Sequence, residues 1–135
     1  MDIIRQNTNR PAQKILIADD DADVRDILVT RLEANGYEVE TAENGVWAVV
    51  QARKTKPDLI ILDMRMPSGS GESVFDQLKN SIETAFIPVI FVTAYSTPAV
   101  RQHMLEIGAA EFIEKPFDSA ELLEKVRKVI GANTG

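Results

Sequence analysis

The stretch Asp58-Leu-Ile-Ile-Leu-Asp63-Met-Arg-Met-Pro67 decides how the chain is read. Its four central residues are apolar on both faces of an extended chain, whereas a half-exposed strand would alternate with polar residues. Such a run suits a strand buried on both sides, as in the middle of a parallel sheet. It stops abruptly at an acid, Asp63, and the following loop carries Pro67, Gly69 and Gly71.

The same design recurs on either side. Upstream, Lys14 to Ala18 is a short apolar strand that runs into Asp19, Asp20 and Asp21. A helical period follows, with Val24, Ile27, Leu28 and Leu32 on one face, and Asn35-Gly36 supplies the left-handed stop. Tyr37 to Thr41 forms a weaker strand, and Asn44 caps a helix carrying Val46, Trp47, Val49 and Val50 that ends before Pro57. Downstream, a helix holds Val74, Phe75 and Leu78, and Ile87 to Val92 is a second two-sided apolar strand, ending at Thr93. Thr97-Pro98 gives a cap and a proline at the first helical position. That helix runs to Gly108 with Val100, Met104, Leu105 and Ile107. A last strand, Glu111 to Glu114, ends at Lys115-Pro116, and Asp118 or Ser119 opens a helix with Leu122, Leu123, Val126 and Ile130 on one face.

Five strands alternating with five helices predict an α/β domain, a parallel sheet covered by helices on both faces. The domain spans 14–130, with an N-terminal extension over 1–13 and a polar tail over 131–135. At 135 residues the chain fits one domain, and 44% hydrophobic residues suffice for one core. No cysteine is present, which excludes disulfides, thiolate metal sites and a cysteine nucleophile and suits a cytoplasmic setting. The net charge of −6 argues against direct nucleic-acid binding. No apolar run approaches the roughly 20 residues that span a bilayer.

The chemistry collects at the strand ends. Open parallel sheets bind ligands at the carboxyl ends of their strands, near the point where strand order reverses. Four of the five strands end in a capable residue: Asp19 with Asp20, Asp63, Thr93 and Lys115. Clustered carboxylates repel unless a cation joins them, and Mg²⁺ prefers such oxygen ligands. A nearby lysine and threonine could hold a phosphoryl group, and an aspartate can accept one as an acyl phosphate.

Four segments in order, Ile-Leu-Ile-Ala-Asp-Asp-Asp, Ile-Ile-Leu-Asp-Met-Arg-Met-Pro, Val-Ile-Phe-Val-Thr-Ala-Tyr and Phe-Ile-Glu-Lys-Pro-Phe, resemble the receiver domain of two-component response regulators over about Lys14 to Ile130. The resemblance implies a flavodoxin-like (βα)5 fold with strand order 2-1-3-4-5. It implies Asp63 as phosphoacceptor, Mg²⁺ held by Asp19, Asp20, Asp63 and the backbone carbonyl of Arg65, and phosphoryl contacts from Thr93 and Lys115. A cis peptide is expected at Lys115-Pro116. Thr93 and Phe112 would form the switch, read out on the face of the fourth helix, fifth strand and fifth helix, with phenylalanine standing where tyrosine is frequent. Gly69 stands where a bulkier apolar residue is frequent, which implies a looser loop. Arg65 and Tyr95, each two residues past a site residue, are expected to shield the acyl phosphate from water. The implied partners are a sensor histidine kinase or histidine phosphotransfer protein, and a downstream protein target or output domain.

Rival readings are an aspartyl-phosphate phosphohydrolase of the haloacid-dehalogenase type, a flavin or nucleotide module, and a phosphorylation-independent interaction domain. The first needs a second aspartate two residues after Asp63, where this chain has Arg65. The second needs a glycine-rich loop after the first strand, where three aspartates stand. His103, the sole histidine, reads as a helix-surface residue.

Overall fold

The computed structural model describes residues 12–66, 70–94 and 96–131. Five strands, β1 (Lys14–Ala18), β2 (Glu38–Ala42), β3 (Leu59–Asp63), β4 (Val89–Thr93) and β5 (Glu111–Glu114), alternate with five helices. The helices are α1 (Ala22–Ala34), α2 (Gly45–Thr55), α3 (Gly71–Lys79), α4 (Pro98–Glu106) and α5 (Ser119–Ile130). All pairings are parallel and the order is β2-β1-β3-β4-β5, as the flavodoxin-like expectation requires.

Alternation along each strand divides the core in two. Leu16, Ile60, Leu62, Phe91 and Phe112 pack with residues of α2, α3 and α4. Ile15, Ile17, Ile61, Ile90, Val92 and Ile113 pack with residues of α1 and α5. β3 and β4 are buried at every position, which is why their sequences are apolar without alternation.

Side-chain caps open the helices, those at Asn44, Thr97 and Asp118 where the sequence placed them. Asp21 accepts from the amides of Asp23 and Val24, Asn44 from Trp47, Thr97 from Val100 and Asp118 from Glu121. Ser70 caps α3 in the same way, by accepting from Ser73 N–H. Gly36 ends the α1 corner with φ +91°, a conformation that favours glycine.

Three strands are offset from their sequence-based limits. Tyr37 precedes β2 because its N–H turns back to Leu32 O, closing the end of α1. Asp63 belongs to β3, its register partner being Val92. Ile87 and Pro88 precede β4, since Ile87 N–H closes a turn on Thr84 O and proline has no N–H for the ladder. Ile27 departs from the predicted apolar face of α1: Leu28 and Leu32 are buried, but Ile27 is 56% exposed. On α2 the packed residues are Gly45, Ala48, Val49 and Ala52, while Val46, Trp47 and Val50 face solvent. Apart from Val49, the packed residues of that helix are small, and its other large side chains turn outward.

Lys79, at the end of α3, donates from Nζ to Ala85 O and Ile87 O, each at 3.0 Å, and ties the helix to the turn before β4. Burial holds its amine below the ordinary lysine value. His103 is an exposed residue of α4, with Nε2 3.3 Å from Glu72 Oε2 on α3. Among the described residues, no helix is long and apolar enough to cross a membrane.

Candidate functional site

The strand order reverses direction at β1, so the carboxyl ends of β1 and β3 bound a crevice. Asp19 directly follows β1 and Asp63 closes β3, and both are buried, whereas Asp20 is exposed at the rim. One carboxylate oxygen from each of the three lies within 4.8 Å of the others. Octahedral Mg²⁺, bound at about 2.1 Å, sets its ligand oxygens roughly 3–4 Å apart, so small side-chain adjustments would let this trio share one ion. The donors are all hard oxygens, in keeping with that ion.

Asp19 is held at both ends. Its N–H donates to Ala42 O of β2, and its Oδ1 accepts from Asp21 N–H at 2.9 Å. Its Oδ2 takes the Lys115 ammonium at 2.8 Å, and the same Nζ lies 3.3 Å from Asp63 Oδ2. Asp63 Oδ1 accepts from Arg65 N–H at 3.1 Å. The lysine arrives from the far edge of the sheet, just past β5, where its own N–H donates to Thr93 O and its peptide to Pro116 is cis.

Burial pushes the Asp63 carboxyl up to about 6, with the Asp19 charge adding to it, against the opposing pull of the Arg65 N–H and of Lys115. For Lys115, burial works against the charged form, but the hydrogen bond to Asp19 and the two carboxylate charges outweigh it and raise its value. The raised value keeps the Lys115 ammonium charged at neutral pH, between the side chains of Asp19 and Asp63.

The structure brings Asp19, Asp20, Asp63 and Lys115 together. Thr93 ends β4 one position beyond the partner of Asp63 and is fully buried. Phe112 is fully buried on the same face of the sheet, its register partner Phe91 standing two residues before Thr93. Arg101 of α4 lies over its ring, with Cζ 6.0 Å from the centroid. Arg65 lines the outer rim with Asp20, Met64, Met66 and Ser70, and is exposed. Gly69 and Tyr95 lie outside the described residues.

Two contributors escaped the sequence reading. A Cβ on Gly71 would meet Asp63 O at 2.5 Å and Met64 Cα at 2.6 Å, so glycine is what allows α3 to start against the end of β3. Arg25 of α1 reaches back to the Asp19 carbonyl. A cation one turn into a helix that opens on three aspartates was the available signal.

A family model described as the response regulator receiver domain matches residues 15–127. The chain is 42% identical over 118 residues to the "probable transcriptional regulator ycf27" of Porphyra purpurea, covering 87% of this chain and 47% of that protein. It is 38% identical over 119 residues to the phosphate regulon transcriptional regulatory protein PhoB of Escherichia coli, covering 88% and 52%. It thus spans about half the length of these curated relatives. Among solved structures, the chemotaxis protein CheY4 of Vibrio cholerae superposes with TM-score 0.82 at 31% identity, covering 88% of this chain and 99% of that one. The receiver domain of sensor histidine kinase PA1611 from Pseudomonas aeruginosa, which has a magnesium ion coordinated in its active-site cleft, superposes with TM-score 0.82 at 28% identity, covering 90% and 99%. Sequence match, strand order and the acidic cleft agree, and the chain belongs to the receiver-domain family of two-component response regulators.

Proposed function

We propose that Asp63 is the phosphoacceptor of this receiver domain and that Asp19, Asp20, Asp63 and the Arg65 carbonyl hold Mg²⁺ beside it. The observation that carries this reading is the shared position of Asp63, which is both a member of the acidic trio and a partner of the Lys115 ammonium. When bound, the ion would offset negative charge on the incoming phosphoryl oxygens. The chain's own residues do the rest. A carboxyl with a value of about 6 is ionised at pH 7, so Asp63 is a ready nucleophile. One of its oxygens bonds to phosphorus as the bond from phosphorus to the donor's leaving atom breaks, giving an acyl phosphate. Lys115, already oriented at the cleft, moves its ammonium onto a phosphoryl oxygen, and the Thr93 hydroxyl supplies a further hydrogen bond.

In this reading Thr93 and Phe112 carry the change to the face of α4, β5 and α5, which contacts a downstream protein target or output domain. The donor is a histidine kinase or histidine phosphotransfer protein, and turnover is limited to self-phosphotransfer and slow loss of the phosphoryl group. The phosphohydrolase alternative is not favoured, because Arg65 cannot serve as an acid-base carboxylate two residues after Asp63. The experiment is incubation with acetyl phosphate, with Mg²⁺ or with EDTA, followed by intact mass. A single phosphoryl adduct that requires Mg²⁺ supports the reading. A folded, Mg²⁺-binding protein that forms no adduct overturns it.

A further inference from the structure

Arg25 stands on the second turn of α1 and sends its guanidinium back to the strand end, where Nη1 donates to the backbone carbonyl of Asp19 at 2.6 Å. A charged donor at that separation makes a strong hydrogen bond. The carbonyl it holds belongs to the peptide joining Asp19 to Asp20. Because that peptide is planar, fixing its oxygen also fixes the Asp20 nitrogen and Cα. The two acids are constrained very differently. Asp19 is buried, with its N–H, Oδ1 and Oδ2 all engaged by Ala42, Asp21 and Lys115. Asp20 is exposed, so its aim depends on the backbone that carries it.

We propose that Arg25 is a positioning residue for metal binding: by clamping the Asp19–Asp20 peptide, it aims the exposed Asp20 carboxylate at the oxygens of Asp19 and Asp63. The inference rests on the reading of this trio as the Mg²⁺ site. It goes beyond that reading by giving the site an outer support that no carboxylate supplies.

The proposal has an unusual sign. A fixed cation beside an acidic cluster repels a divalent ion, so if Arg25 acted through its charge alone, removing it would tighten Mg²⁺ binding. If it acts by aiming Asp20, removing it weakens binding, and loss of an outer support of this kind costs roughly tenfold in metal affinity. The direction of change separates the two.

The test is a titration of the whole chain with Mg²⁺, followed by the backbone amide signals of residues 19–21 and 63. Wild type is compared with Arg25→Ala, Arg25→Met, Arg31→Ala and Asp20→Asn. Arg31 is an exposed cation at the far end of α1, so its loss makes the same change in net charge without touching the clamp. The expected result is weaker binding by roughly tenfold in both Arg25 variants, little change in Arg31→Ala, and faster amide exchange at Asp20 and Asp21 in the metal-free Arg25 variants. Unchanged or tighter Mg²⁺ binding in a folded Arg25 variant overturns the proposal. Arg25→Met keeps an unbranched stem for packing and decides the matter should the alanine variant not fold. Failure of the underlying site shows separately, as absence of Mg²⁺ binding in wild type or indifference to Asp20→Asn.

Discussion

Gly71 and Asp63 meet backbone to Cα: a methyl group added at Gly71 would stand 2.5 Å from the Asp63 carbonyl oxygen. The first residue of α3 is therefore packed directly against the residue that closes β3, and the Gly71 N–H donates to Met64 O at 2.9 Å across the same corner. Helix and site residue share one support, so crowding the helix start moves the carboxylate.

Gly71→Ala should consequently destabilise the fold by about 1–3 kcal/mol, the usual cost of forcing atoms into a packed place. The obstructing atoms are main chain, so no side-chain rotation relieves the clash. The surviving folded fraction should also bind Mg²⁺ more weakly and phosphorylate more slowly. Urea denaturation beside a Mg²⁺ titration checks both. An alanine variant with wild-type stability and wild-type Mg²⁺ affinity would show that the corner yields easily.

The elevated Asp63 carboxyl makes a pH prediction with a definite sign. Its folded value of about 6 lies above the unfolded carboxylate value, so the native state holds the proton more tightly than the unfolded chain. This contribution to stability is full below the unfolded value and is lost as pH rises through about 6. Over about two pH units the loss amounts to roughly 3 kcal/mol at most. In the absence of divalent cations, Asp63→Asn should therefore be more stable than wild type at pH 7.5, with the gap shrinking towards pH 4. Mg²⁺ should narrow the gap at pH 7.5 by stabilising wild type more than the variant, which lacks one carboxylate of the trio. Equal stabilities at both pH values in metal-free buffer would refute this.

Lys115 gives a contrasting electrostatic test. Its ammonium is the cation that bridges Asp19 and Asp63, so it competes with an incoming ion for the same carboxylate charge. Lys115→Met should bind Mg²⁺ several-fold more tightly, since about 1 kcal/mol of removed repulsion is worth a factor of five or so. The same variant should phosphorylate more slowly from acetyl phosphate, having lost the group that meets the phosphoryl oxygens. Tighter metal binding with slower chemistry separates charge balance from catalysis. Weaker metal binding would mean that the lysine orders the acids instead of opposing the ion.

Much of this molecule was legible in its sequence, because burial on two faces leaves a plain mark. The runs Leu59 to Leu62 and Val89 to Val92 had no polar alternation, and both proved central and buried throughout. Each strand that stopped at a charged or hydroxyl residue placed that residue at one edge of the sheet, so Asp19, Asp63, Thr93 and Lys115 could be grouped before any distance was known. Helical packing was less legible. Ile27 fits the period of α1, yet it is 56% exposed and lines a cleft with Lys115, Pro116 and Phe117. On α2 Val49 packs as its sequence suggested, but Val46, Trp47 and Val50 face solvent and the small Ala48 and Ala52 take packed positions instead. Hydropathy ranks residues by size as well as polarity, and here small size decided. Arg25 and Gly71 were hidden for another reason: both act on backbone atoms of residues a few positions earlier in the chain, and a pattern of side chains does not register such contacts.

The most direct test of the central claim is to locate the phosphoryl group. The protein is treated with acetyl phosphate and Mg²⁺ and reduced with borohydride, which converts a phosphorylated aspartate to homoserine, and its peptides are then sequenced by mass spectrometry. Homoserine at position 63, absent from the EDTA control and from Asp63→Asn, is the predicted result. Homoserine at Asp19 or Asp20, or an adduct that persists unchanged in Asp63→Asn, would contradict it.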